Sequence, residues 1–247
     1  VMSKSSRTQE HFVAAVDSDV LPETDAVQDG KAPLSMWGEA WRNLRRRPLF
    51  IISALLILLI VAVAAFPQLF TQTPPDGACY LADSNAGPSP GHPLGFTLQG
   101  CDVYARLIYG TRASLLVGII TTVSVVLLGG TLGALAGYYG GWLDAVIARL
   151  GDIFFALPLI LGAIIVMQLP MFRENRNIWT VVLTLVVFGW PQIARITRGA
   201  VISVRNADFV VASRALGVSK FQALVKHVLP NALAPVIVTA TISLGTF

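Results

Sequence analysis

The sequence predicts an all-α fold, a polytopic bundle of transmembrane helices, and three observations carry that expectation. Apolar residues make up 54% of the 247-residue chain and charged residues only 13%, the latter about half the share of a soluble domain. Apolar runs of bilayer-crossing length recur along it. Between Arg195 and Asn231, six Lys and Arg face one acid, Asp208, the imbalance of a loop kept on the cytoplasmic side. The net charge of +4 resides in such loops and in the tail, with no basic stripe interleaved with aromatics, so nucleic acid is not expected as a partner.

In chain order, residues 1–34 are polar and mixed in charge, which predicts a disordered cytoplasmic tail. Residues 35–48 carry Trp37, Trp41 and Leu44 on one helical face and Arg42 and Arg45 to Arg47 beside it. That pattern suits a basic amphipathic helix in the membrane interface, in contact with anionic lipid. A solvated basic flank explains the same residues equally well, and either reading keeps the N-terminus inside. Residues 49–66 form the first span. No cleavable signal is visible ahead of it, because the first apolar run starts near residue 49. The Pro- and Gly-rich stretch 67–105 is an extracytoplasmic loop carrying both cysteines, Cys79 and Cys101.

The second span covers about 114–138. Its Gly129, Gly133 and Gly137 recur every four residues, a small-residue face for close helix packing rather than a part of the transport path. A short inner turn leads past Asp144, Arg149 and Asp152 into a third span at 153–169. Asp152 invites an ion- or proton-site reading, but Arg149 three residues earlier favours an interfacial ion pair. Arg173, Glu174 and Arg176 mark an outer turn. The fourth span, 178–196, contains Trp190-Pro191, where a missing backbone donor predicts a kink. A fifth span starts near Leu229-Pro230 and runs to Phe247.

The stretch 195–229 between the last two spans is patterned for structure. Asp208 is placed to cap a helix whose Phe209, Ala212 and Leu216 fall at helical spacing. Gly217 ends that helix in the left-handed conformation that glycine adopts cheaply. Ser219 and Gln222 form a capping box for a second helix, with Phe221, Leu224 and Val225, that runs into the fifth span. The expectation is a rigid cytoplasmic knob with one apolar face.

These residues carry a resemblance. Val211-Ala212-Ser213, Gly217, His227 and Leu229-Pro230 resemble, in spacing, the loop of bacterial ABC-importer permeases, where the first motif usually reads Glu-Ala-Ala. Here Val211 stands for Glu and Ser213 for the second Ala. Upstream, His92-Pro93-Leu94-Gly95, Gly100, Asp102, Arg106 to Gly110 and Arg112 resemble the signature of the dipeptide and oligopeptide branch, with Cys101 in place of its Arg. The chain is thereby identified as resembling a C-type permease subunit of the binding-protein-dependent transport family from about Trp37 onward. The resemblance implies the ABC-importer permease fold, with 106–247 as the permease core, and a sixth span beyond Phe247. It also implies an inner-membrane location and a transport role for di- or oligopeptides. Implied partners are a homologous second permease, one or two ABC ATPases and an extracytoplasmic peptide-binding protein. Asp208, Phe209, Val211, Ala212, Ser213, Leu216 and Gly217 become the residues expected to couple to an ATPase. Cys79 and Cys101, both on the oxidising side with no competing thiol, are expected to pair.

The chemistry present excludes other roles. There is no G-x-x-x-x-G-K-[ST] phosphate cradle, so ATP and Mg²⁺ belong to partner subunits and the chain itself is expected to be no enzyme and to hold no cofactor. His11, His92 and His227 are scattered over a tail and two loops, which excludes a metal cluster. His227 reads as a helix-end cation. Within the same class, a nickel or glutathione importer is the alternative. An ion-coupled secondary carrier should show inverted repeats and mid-membrane ionisable groups, and neither is visible. A non-transporting anchor or receptor leaves the patterned knob without a purpose.

Overall fold

The computed structural model describes Gly38, Trp41, Arg42 and residues 44–77, 79–174 and 177–247. The expected tail at 1–34, Trp37 of the interfacial helix and Arg176 of the outer turn lie outside the described residues. The chain divides into two compact units, Val1–Leu55 and Leu56–Phe247, with the division inside the first long helix. In the first unit, Gly38, Trp41, Arg42 and Leu44 are helical, and the Trp41 ring meets Phe50 edge-on at 6.1 Å between centroids. Helix α1, Pro48–Ala65, follows. Its side chains are exposed nearly all round, which suits lipid and not water.

In the second unit, α2 spans Val103–Tyr139. The expected loop thus ends at Asp102 and not at 105, and the helix begins well before the apolar run at 114. The reason is local: the Asp102 carboxylate accepts the Tyr104 N–H at 2.9 Å and caps the helix there. At 37 residues, α2 is about 55 Å long, well beyond a bilayer's ~30 Å hydrocarbon core.

The expected third span is not one straight helix. Helix α3, Gly141–Ala156, and helix α4, Leu159–Met167, meet at 87°. Proline explains the break, since Pro158 disfavours helical geometry in the residue before it, and Leu157 is extended at φ −95°, ψ 122°. Asp144, Arg149 and Asp152 therefore lie within α3, not ahead of a span. After the short helix α5, Pro170–Arg173, Asn177 caps helix α6, Ile178–Arg205, in a reciprocal capping box with Thr180. Helix α6 runs nine residues past the expected end at 196 and continues through Pro191.

Helix α7, Asp208–Ala215, is followed by α8, Lys220–Ala223, a π-helical turn at Leu224–Val228 and α9, Leu229–Leu244. The fifth span accordingly runs from Lys220 to Leu244. Its wide turn sits just ahead of Pro230, where a missing N–H already interrupts the α-helical ladder. Among the described residues, four helices are long and apolar enough to cross a membrane, and the bent pair α3–α4 supplies a fifth candidate.

The core lies between α2 and α6. A Cβ at Gly129 would sit 2.5 Å from the Trp190 carbonyl oxygen, one at Gly137 2.8 Å from that of Arg198, and one at Gly133 would collide with the Ala194 carbonyl. The three glycines therefore let the two backbones approach closely, as a small-residue face does where lipid removes the hydrophobic drive to pack. Val125 and Ile193, also on these two helices, cluster with Val236 of α9.

Candidate functional site

The knob between α6 and α9 is built from short-range signals and one anchor. Asp208 does not cap α7. The N-cap is Ala207, with extended geometry (φ −66°, ψ 145°) and no side-chain capping bond, and Asp208 is the first helical residue. The helix starts one residue earlier than its sequence suggests, leaving the carboxylate to act only through its charge at the N-terminus. At the other end Gly217 adopts φ +92°. Its N–H donates to the Arg214 carbonyl at 3.0 Å, and the Val218 N–H to that of Ser213 at 3.2 Å. These two bonds form a Schellman motif, which satisfies the last carbonyls of α7. Ser219 Oγ then accepts the Gln222 N–H at 3.3 Å, the serine half of the expected capping box.

Burial divides the knob sharply. Val210 is wholly buried, in a cluster with Ala134 of α2, Val201 of α6 and Leu224, Val228 and Ala232 of the fifth span. Phe209 (49% exposed), Val211 (56%) and Leu216 (87%) face outward, as does Ala212, while Ser213 is half-buried. The face named from spacing is thus presented together, joined by Val211, while the residue that roots it escaped notice. In the run Phe209-Val210-Val211, apolar side chains point to three directions of a helix, and only the tertiary neighbours select one.

A charge ladder joins α3 to α6. Arg198 grips Asp144 through two bonds, Nε to Oδ1 at 2.5 Å and Nη2 to Oδ2 at 2.7 Å. Further along, Asp152 lies 3.9 Å from Arg149 and 3.6 Å from Arg195, and the Arg195 guanidinium sits 4.8 Å over the Phe155 ring. The expected Arg149–Asp152 pair is therefore present but shared with a second cation. Asp144–Arg198, the better-formed pair, joins residues 54 apart in sequence, a separation invisible to helical spacing. A cavity of about 230 Å³ opens beside the ladder, lined by Gly151, Asp152, Phe155, Pro191 and Arg195 among others. Beyond it, Arg205 Nη1 donates to the Gly137 carbonyl at 2.6 Å and ties the end of α6 to the end of α2.

At the opposite end of α2, the lobe between α1 and α2 is closely braced. Cys79 and Cys101 are joined, with 2.07 Å between sulfurs. Gly100 (φ +72°) passes so near Tyr80 that any Cβ would overlap the Tyr80 carbonyl. Asp102, 3% exposed, accepts from Tyr104 N and faces His92 Nδ1 at 2.9 Å. In the sequence His92 and Asp102 stand only as parts of a motif, and their pairing is a further contact that spacing does not disclose.

Comparison with known proteins gives the same picture from another side. Residues 129–247 match the family described as "Binding-protein-dependent transport system inner membrane component". Residues 35–88 match "N-terminal TM domain of oligopeptide transport permease C". A dipeptide transport system permease protein of Alkalihalophilus pseudofirmus is 36% identical over 231 residues, 91% of this chain and 72% of that protein. An oligopeptide transport system permease protein of Bacillus subtilis is 31% identical over 223 residues, 90% and 71% of the two. A glutathione transport system permease protein of Pectobacterium atrosepticum is 32% identical over 215 residues, 87% and 70%.

Proposed function

The chain belongs to the permease C branch of the binding-protein-dependent transport family, and on that premise we propose that it forms half of the membrane path of an ATP-driven importer of di- and oligopeptides. A homologous permease supplies the other half. ATPase subunits, which carry the ATP and Mg²⁺, bind the knob in the cytoplasm, and a peptide-binding protein delivers solute from outside. The N-terminus and the knob lie in the cytoplasm, and the Cys79–Cys101 lobe lies outside, where a disulfide persists.

The observation that carries this reading is the division of burial in α7. An exposed apolar face, Phe209, Val211, Ala212 and Leu216, rides on a helix held by Val210 to α2, α6 and the fifth span. A partner that pushes on α7 therefore pushes on three membrane helices together. Reversing an inward–outward equilibrium from 1:99 to 99:1 needs about 5.5 kcal/mol of differential binding, on the scale of nucleotide-driven docking. The glutathione relative supports a second reading, in which the solute is the tripeptide glutathione. Competition between glutathione and a dipeptide for uptake separates the two.

The test is reconstitution of the full importer in vesicles with Ala212→Asp in this chain. A carboxylate on the exposed face should cut peptide uptake and peptide-stimulated ATP hydrolysis at least tenfold, because burying an unpaired charge at the contact costs several kcal/mol. Membrane insertion and thermal stability should not change, since Ala212 is exposed. Wild-type uptake and hydrolysis in this variant would remove the knob from the coupling route.

A further inference from the structure

Where α2, α6 and the knob meet, a cavity of about 230 Å³ is lined by Tyr138, Tyr139, Arg205, Asn206, Arg214 and Lys220. Three cations converge on it without a carboxylate in its wall. Among the described residues none of the three forms a salt bridge, and the Arg205 contact is to a neutral carbonyl. The carboxylate felt by Arg205 is Asp144, outside the wall and gripped by Arg198, so the three cations repel one another and an anion in the cavity relieves that repulsion.

Position selects the anion. The apolar run of α2 that begins near Ser114 ends at Tyr138-Tyr139, and tyrosines at the end of a span sit at headgroup level. The Arg205 bond to Gly137 puts that guanidinium at the same height. Arg214 and Lys220, exposed on the knob, reach the cavity from the far side. We propose that this cavity holds the phosphate headgroup of an anionic phospholipid of the cytoplasmic leaflet, bridging the bundle (Arg205) and the knob (Arg214, Lys220). The lipid would then stiffen the joint through which α7 moves the bundle. This rests on the proposed cytoplasmic placement of the knob, but the lipid contact is measurable without transport or ATPase partners.

The experiment places the full chain in nanodiscs of phosphatidylcholine with increasing phosphatidylglycerol and counts retained lipid by native mass spectrometry. One phosphatidylglycerol should be retained by the wild type. The Arg214→Gln/Lys220→Gln pair should weaken it about 25-fold, roughly fivefold per charge removed near a membrane surface, whereas Arg173→Gln, outside the cavity, should change it less than twofold. Equal retention by the double variant, or an equal loss in Arg173→Gln, overturns the proposal. Displacement of the lipid by 10 mM inorganic phosphate overturns the lipid assignment in favour of free phosphate. In the assembled importer, a zero-length cross-link from Lys220 to an ATPase carboxylate, formed at full yield with phosphatidylglycerol present, would give the cavity to a protein partner instead. Loss of importer activity with the lipid pattern intact would count against the transport reading and leave the site standing.

Discussion

The lobe ahead of α2 and the knob beyond α6 are both irregular connections, and they hold their shapes by opposite means. The lobe closes on itself. Cys79 is joined to Cys101, the Tyr80 N–H bonds the Gly100 carbonyl at 3.2 Å, and Asp102 is buried while holding both His92 and the first turn of α2. The knob closes on very little of itself. It is seated through Val210 and, where it runs into the fifth span, through Ala223 and Leu224; Gly217 terminates α7, and Phe209, Val211 and Leu216 turn outward. A braced lobe suits a surface that must keep one shape unaided. A lightly seated, exposed knob suits a part whose remaining contacts come from a partner.

The contrast is broken most severely by Gly100→Val. The glycine combines φ +72° with a backbone approach that leaves no room for any Cβ, so a β-branched residue meets both strain and overlap. The expected cost is at least about 3 kcal/mol, similar to the ~3 kcal/mol that the 22-residue cross-link contributes in the chain-entropy model. Alkylation without reductant reads it directly: both thiols protected in the wild type, a large fraction of each reactive in the variant. Quantitative protection in Gly100→Val would show that the lobe is not braced in this way, and two reactive thiols in the wild type would remove the disulfide.

Gly217→Val should act differently. Its φ of +92° is costly for a β-branched residue, but an added Cβ would point into open space. Strain of about 1–3 kcal/mol is therefore absorbed locally, by opening the Schellman turn between α7 and α8. Peptide uptake should fall severalfold while the thermal midpoint of the bundle moves little. A drop in the midpoint as large as that of Gly100→Val would mean that the knob is part of the bundle's own fold, and the contrast would fail.

How much of this was legible in the sequence follows from the range of each interaction. Apolar runs gave the spans, and the Gly217 break and Ser219 start of α8 are local signals that name their own geometry. The glycine repeat gave its face but not its partner, α6. The bend at Leu157-Pro158 is not legible as a break, because the apolar run continues through the proline and hides two helices as one. The Asp144–Arg198 pair and the burial of Val210 depend on residues far away in sequence, and no local pattern encodes them.

The smallest expected effect uses the same residue type at two helix starts. Asp102 and Asp208 each stand where α2 and α7 begin, and the sequence reading gives a capping role to Asp208 alone. In the structure Asp102 is the N-cap, bonded to Tyr104 N and facing His92, whereas Asp208 is one residue inside its helix and bonds no N–H. Asp102→Ala leaves the part-buried Tyr104 N–H without its acceptor, a cost of about 1–3 kcal/mol, and slowed exchange of the first-turn amides of α2 should be lost by about fivefold to a hundredfold. Asp208→Ala removes only a charge favourably placed at a helix N-terminus, about 0.3–1 kcal/mol at most, so amide exchange in α7 should rise less than about fivefold. Hydrogen exchange on the two variants, read over the first turn of each helix, makes the comparison within one experiment. Equal losses at both helices would mean that Asp208 caps α7 in solution, and that the knob is braced by the same means as the lobe.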